Sequence, residues 1–276
     1  MKISYVRLRV FTVTACFVAG AGVIGQHRPT GIARADDTAD AQHVQEMIEG
    51  VNGAMSDLSE AVGGLSDEQK PKLAALETSI AEKIKANPKI EPLALRDEAI
   101  SGFRDILTPD QQKKLDELMA DSARRAQSIQ TGSRLKQIGI MLLMFATEHQ
   151  GELPPDLGLL TETKPDPTTF LAGGSKTKVP VDFEKLPASQ QAEWIDTKTD
   201  FIFVGGGKDL DKLGASVVAY VRPGAAATGN NFLMADGSVV AQDPEKSAKI
   251  IGELEAGKNP PPSLDKTLPL PPGPPR

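Results

Sequence analysis

The stretch Ser133 to Pro155, SRLKQIGIMLLMFATEHQGELPP, decides the fold. Leu135, Ile138, Leu142, Phe145 and Ala146 recur at three- and four-residue steps, which is the period of one helix face. Met141, Leu142, Leu143, Met144 and Phe145 make this helix heavily apolar. Such a patch suits a helix packed deep against strands, and it also suits a groove for a partner. Gly151 and then Pro154-Pro155 stop the helix, and beyond them Gly, Pro and Thr become frequent. Asp200 to Val204, Ser216 to Val221, Asn231 to Ala235 and Ser238 to Ala241 read as strands. Asp236-Gly237 between the last two is a two-residue hairpin signal. A short helix is expected at 244–256. The last 18 residues hold eight prolines and read as an extended, disordered tail.

Upstream, the helix traces back to Thr108-Pro109. Thr108 is a good N-cap, and Pro109 suits the first helical position. The apolar pattern holds through Leu115, Leu118 and Met119, blurs between Ser128 and Ser133, and resumes at Leu135. An unbroken helix over 109–149 would be ~60 Å long. Gly132 would cost it about 1 kcal/mol, which does not forbid it. A domain boundary is expected near 122–132, either inside this helix or at a break there.

Three more amphipathic helices precede it. The first spans 39–65 through Val44, Met47, Ile48, Val51, Met55, Leu58, Val62 and Leu65, with Gly63-Gly64 as its stop. The second is capped by Ser66, with Gln69 as the return partner of a capping box, and ends at Asn87-Pro88. The third covers 92–107. The chain therefore reads as α+β: an antiparallel helical module, then a long helix leading into a head with a small antiparallel sheet.

The first 35 residues differ from the rest. Lys2, Arg7 and Arg9 precede the apolar run Val10 to Ile24, and Ala33-Arg34-Ala35 fits a small-x-small cleavage site. That is the grammar of a secretory signal peptide. The apolar run is shorter than the roughly 20 residues a membrane span needs. Two alternatives are an uncleaved N-terminal anchor and a lipidated Cys16. Cleavage after Ala35 would remove Cys16, the one cysteine, and with it any disulfide, thiol or cysteine-based metal chemistry. The organisation expected is a signal peptide over 1–35, a helical module over 36–121, an α+β head over 122–258 and a Pro-rich tail over 259–276. The processed chain is expected not to span a membrane and to reside in the periplasm or outside the cell.

Charge excludes some partners. Residues 1–35 carry five basic and no acidic side chains, so removing them takes the net charge from −6 to −11. Residues 36–121 hold 19 acidic and 9 basic side chains, whereas 122–276 hold 18 and 17. A nucleic-acid binder needs the opposite sign, and aromatics are only 4% of the chain, so no base-stacking stripe is expected. His43 and His149 lie on different helices, and no zinc or Ser-His-Asp constellation assembles around them. Gly205-Gly206-Gly207-Lys208 lacks the spacing and following helix of a phosphate loop and reads as a turn.

Two sets of motifs carry a resemblance. Leu107-Thr108-Pro109-Asp110-Gln111 resembles the LTxxQ motif of the Spy and CpxP family of periplasmic proteins. Leu65-Ser66-Asp67-Glu68-Gln69 is similar to a second copy 42 residues earlier. The resemblance implies a small helical module of a chaperone or a metal-responsive regulator; in physical terms each motif is a helix cap. Leu135-Lys136-Gln137-Ile138-Gly139, Glu152-Leu153-Pro154-Pro155, Asp200 to Gly205 and Asn231 to Val239 together resemble secreted bacterial proteins with a type II secretion pseudopilin-G-like head. Where many of those have histidines, this chain has Ala226 and Ser238. Some pseudopilin heads bind calcium in a loop, and Asp209 and Asp211 offer oxygens for it here. No other cofactor is expected.

The function expected from the sequence is a non-enzymatic binding or structural protein of the bacterial envelope with protein partners. The alternative is a Spy-like, ATP-independent chaperone or metal-responsive regulator. The motif residues Leu107, Thr108, Gln111, Asp236 and Gly237 are expected to act structurally.

Overall fold

The computed structural model describes residues 36–225 and 231–264, with side chains from residue 41 onward. The signal peptide, the Cys16 alternative, Ala226 and the tail beyond Leu264 lie outside the described residues. The fold is α+β, helices with one small antiparallel sheet. The chain divides into two compact units, with the boundary between Ser122 and Ala123.

The first unit contains α1 (Asp36–Ala61), α2 (Lys70–Ala86), α3 (Pro92–Ile106) and the start of α4 (Pro109–Glu148). α2 packs against both α1 and α3. Val51, Met55, Leu58 and Val62 meet Ile80, Ile84, Leu95, Ala99, Phe103 and Leu115 in one core. Burying each large side chain of this kind contributes about 1.5–3 kcal/mol. α1 ends at Ala61 rather than at 65. Gly63 and Gly64 both take positive φ, +105° and +84°, which ends the helix before Leu65. Arg104 and Asp116 form a two-pronged ion pair between α3 and α4.

α4 runs without interruption through Gly132. The polar blur from Ser128 to Ser133 has a structural reason. Thr131 is buried; its hydroxyl donates to the Gln127 carbonyl and accepts from the Gly173 N–H, each at 2.7 Å. The Ser128 carbonyl accepts from Asn231 Nδ2 at 2.7 Å, and Asn231 is buried. These polar groups are paired, so the helix passes through a buried region without an apolar stripe.

In the second unit α4 is followed by three short 3-10 segments (Gly158–Thr163, Pro167–Phe170 and Phe183–Lys185), then α5 (Ala188–Lys198) and the one-turn α6 (Leu210–Leu213). The sheet is a meander, β1 (Phe201–Phe203), β2 (Val217–Val221), β3 (Asn231–Met234) and β4 (Val239–Ala241), with every pair antiparallel. A bulge between Val217 and Ala219 puts Val218 and Ala219 on the same side of β2. One face of the sheet packs on Leu135, Ile138, Leu142 and Ala146 of α4. The other face, with Val217, Tyr220, Phe232, Met234 and Val240, packs on Ile250, Ile251 and Leu254 of α7 (Pro244–Glu255). Both faces are covered, so β2 and β3 are buried throughout instead of alternating.

Three further expectations need correction. α2 starts at Lys70 with no side-chain cap, not after a Ser66 cap; only the return half of the capping box forms, Gln69 Oε1 accepting from the Ser66 N–H. Asp236-Gly237 closes a three-residue connection, not a two-residue one. Met234 N–H donates to Ser238 O, Gly237 N–H donates back to Met234 O, and Gly237 sits at φ +78°. This is the three-residue hairpin that places a left-handed glycine as a bulge before the returning strand. The extended tail also does not begin at 259. Asn259 exchanges two 2.8 Å hydrogen bonds with the backbone of Val217. Ser263 donates through its N–H and hydroxyl to the two oxygens of Glu253, and Leu264 is buried against the sheet. Specific polar side chains dock this segment despite its prolines.

Candidate functional site

The two LTxxQ-like copies meet. Gln69 Oε1 accepts from the Ser66 N–H at 3.0 Å, and Gln111 Oε1 accepts from the Thr108 N–H at 3.0 Å. Each glutamine also reaches across. Gln69 Nε2 donates to Ile106 O at 2.9 Å, and Gln111 Nε2 donates to Gly64 O at 2.7 Å. Gln69 Nε2 donates to Gln111 Oε1 at 2.8 Å, tying the two together. Positions 64, 66 and 69 thus correspond to 106, 108 and 111, which preserves the 42-residue offset bond by bond. The Thr108 hydroxyl accepts from the Gln111 N–H at 3.4 Å, and Leu107 is buried in the core. Leu107, Thr108 and Gln111 therefore cap a helix and lock two helix starts together. Every polar atom of the glutamine pair is engaged within the protein.

Asp236 holds its own turn: Oδ1 accepts from the Ser238 N–H at 2.9 Å and from the Ser238 hydroxyl at 2.6 Å. The hairpin lies against α4. A side chain at Gly139 would come within 2.8 Å of Leu233 Cδ1, and one at Gly237 within 3.2 Å of Leu143 Cδ1. The LKQIG segment and the NFLMADG segment, read separately in the sequence, are thus packed on each other.

At the C-terminal end of α4 an open cleft of about 590 Å³ is lined by Glu148, His149, Gln150, Glu152, Gly207 and Asp209. His149 stacks on Phe145, with ring centroids 3.8 Å apart, and its Nδ1 lies 2.8 Å from the Phe145 carbonyl. It satisfies one of the helix's last carbonyls. Asp209 caps α6 by accepting from the Asp211 N–H at 3.1 Å, and its other oxygen pairs with Lys212 at 2.8 Å. The Lys212 hydrogen bond holds the Asp209 carboxyl below its usual range. Asp211 contributes its backbone N–H to that cap. Among the described residues, no group of three or more His, Cys, Asp or Glu side chains is placed to hold a metal ion. Lys208 of the glycine-rich turn donates to Val204 O at 2.7 Å, back onto its own loop.

The sequence marks the apolar patch on α4 as core or partner groove, and the structure shows which of its residues stay on the outer face. Ile138 to Ala146 contains no polar side chain. Leu142 and its helical neighbours face the sheet, while Ile140 and Met144 are each 51% exposed. At 3.6 residues per turn these two point roughly half a turn away from the core line. Lys136 and Glu148, one step of four before and after them, are exposed. Period counting marks the core face, but in an all-apolar run it does not mark the face left over. Among the described residues, no helix is long and apolar enough to cross a membrane.

Comparison with protein-family models, with curated proteins and with solved structures gave no match for this chain.

Proposed function

We propose that the protein is a non-enzymatic binding or structural component of the bacterial envelope or exterior, acting through a pseudopilin-like head. The observation that carries this reading is the outer face of α4. A helix that is apolar all round normally has neighbours on every side, and here one side is bare. Two half-exposed apolar side chains one helical turn apart, rimmed by exposed polar residues, make a small apolar patch of the kind that supports a protein contact. The mutual packing of the LKQIG and NFLMADG segments supports the likeness to a pseudopilin head, and the basic, apolar, small-x-small order of residues 1–35 supports export.

The test is recovery of a tagged chain from fractionated cells, with the mass of its N-terminus and of its co-purifying proteins. The reading expects a processed chain outside the cytoplasm. It also expects captured envelope proteins, or further copies of the chain, that are lost with Ile140→Asp/Met144→Asp. An unprocessed cytoplasmic chain, or an identical capture with the substituted chain, contradicts it.

The paired LTxxQ-like copies favour a second reading, a Spy-like chaperone or metal-responsive regulator, because their glutamines interlock at the repeat offset. Suppression of aggregation of an unfolded client without ATP by the purified protein would support it, and no suppression at equimolar ratio would count against it.

A further inference from the structure

We propose that the bare face of α4 pairs with the same face of a second copy of this chain, with the two helices antiparallel about a two-fold axis level with Leu142. This rests on the reading of that face as a protein-binding surface and names its occupant. Lys136, Ile140, Met144 and Glu148 lie at steps of four along α4. Such a row forms one ridge on a helix. All four are exposed. Lys136 and Glu148 make no ion pair among the described residues.

The row is self-complementary when reversed. An antiparallel copy centred on Leu142 sets Ile140 against Met144 and Met144 against Ile140. The same operation sets Lys136 against Glu148 at both ends. Gln137 then faces Thr147, an amide opposite a hydroxyl, and both are exposed. No other antiparallel alignment of this ridge pairs both the apolar centre and the charged ends. A parallel alignment sets Lys136 against Lys136 and Glu148 against Glu148, and like charges in contact oppose it. Ridges of this kind interdigitate in the commonest class of helix packing, with axes crossing at about 50°. The same symmetry makes the contact isologous, so it closes at two copies rather than growing into a filament.

One ridge of this length covers less than the about 800 Å² per partner that a stable dimer buries. The pairing is therefore reversible and concentration-dependent. Sedimentation velocity of the purified protein, from low to high micromolar, reads it directly. The expected result is a monomer at the low end and a dimer at the high end. Met144→Asp is expected to weaken association by about tenfold or more, since each copy loses an apolar contact twice over. Its far-UV spectrum and melting should match the parent, because the side chain is outside the core. Lys136→Glu alone and Glu148→Lys alone should each weaken association, and the double exchange Lys136→Glu/Glu148→Lys should restore it. A monomer at every concentration overturns the proposal. So does a dimer indifferent to Met144→Asp, or a double exchange that fails to restore pairing. If the purified protein stays monomeric while the capture experiment returns envelope proteins dependent on Ile140 and Met144, self-pairing fails and the binding reading stands. If neither is seen, both fail.

Discussion

Replacing Gln111 with alanine removes the crossing point of the glutamine clamp. Four hydrogen bonds go: from the Thr108 N–H, from the Thr108 hydroxyl, from Gln69 Nε2, and to Gly64 O. A typical intramolecular hydrogen bond contributes about 1 kcal/mol net. The Thr108 and Gly64 groups border solvent and regain water, so their share is small. Gln69 is buried, at 7% exposure, but its Nε2 keeps Ile106 O. The expected loss is therefore about 2 kcal/mol rather than four. In a unit of this size each kcal/mol moves the melting midpoint by about 4–8 °C. Gln69→Ala should cost a similar amount. The decisive quantity is the coupling between the two, about 1 kcal/mol for their direct 2.8 Å bond, read from a double-mutant cycle in urea. A loss below about 0.5 kcal/mol for Gln111→Ala, or strictly additive single substitutions, would refute the clamp as a source of stability.

Other consequences follow from single contacts. Gly173→Ala would set a methyl carbon 2.2 Å from the Gln127 carbonyl oxygen and within 2.9 Å of two more Gln127 backbone atoms. It should destabilise the head by about 1–3 kcal/mol, seen as a lower urea midpoint, and a neutral result would mean the loop is not held against α4. Glu253 is held below the usual carboxylate range, first by the Ser263 hydroxyl and then by the Ser263 N–H. Its folded-state pKa is depressed, so its stabilising contribution is fully present above the unfolded value near 4.5 and is lost as pH falls through the folded value. Protection of the Ser263 and Leu264 amides, relative to their intrinsic exchange rates, should therefore fall on acidification, and Ser263→Ala, which removes the hydroxyl but keeps the N–H donor, should weaken that pH dependence; protection unchanged at low pH would be the contrary result.

The sequence made local signals legible. Thr108-Pro109 with Gln111 three residues after the cap, and Gly63-Gly64, act within one turn of chain, and each appears where its chemistry requires. The strands were legible because β-branched and aromatic residues cluster between glycines. What was not legible depends on partners distant in the chain. Nothing near Gln69 announces that its amide will reach Ile106, 37 residues on. The hairpin's third loop residue depends on which residue Met234 pairs with, which Asp236-Gly237 alone leaves open. The prolines after Asn259 masked two side chains whose hydrogen bonds dock that segment. Ile140 and Met144 were hidden in an apolar run, where composition alone marks no outer face.

The head's binding face on α4 is tested most directly by photo-crosslinking in living cells, with a photoreactive residue at Gln137 beside the ridge and a control at Lys198 on α5. A binding face there gives protein adducts from position 137, either to a second copy or to an envelope protein, that are lost with Ile140→Asp/Met144→Asp. Equal adducts from 137 and 198, or none from 137 in cells that export the protein, would contradict it.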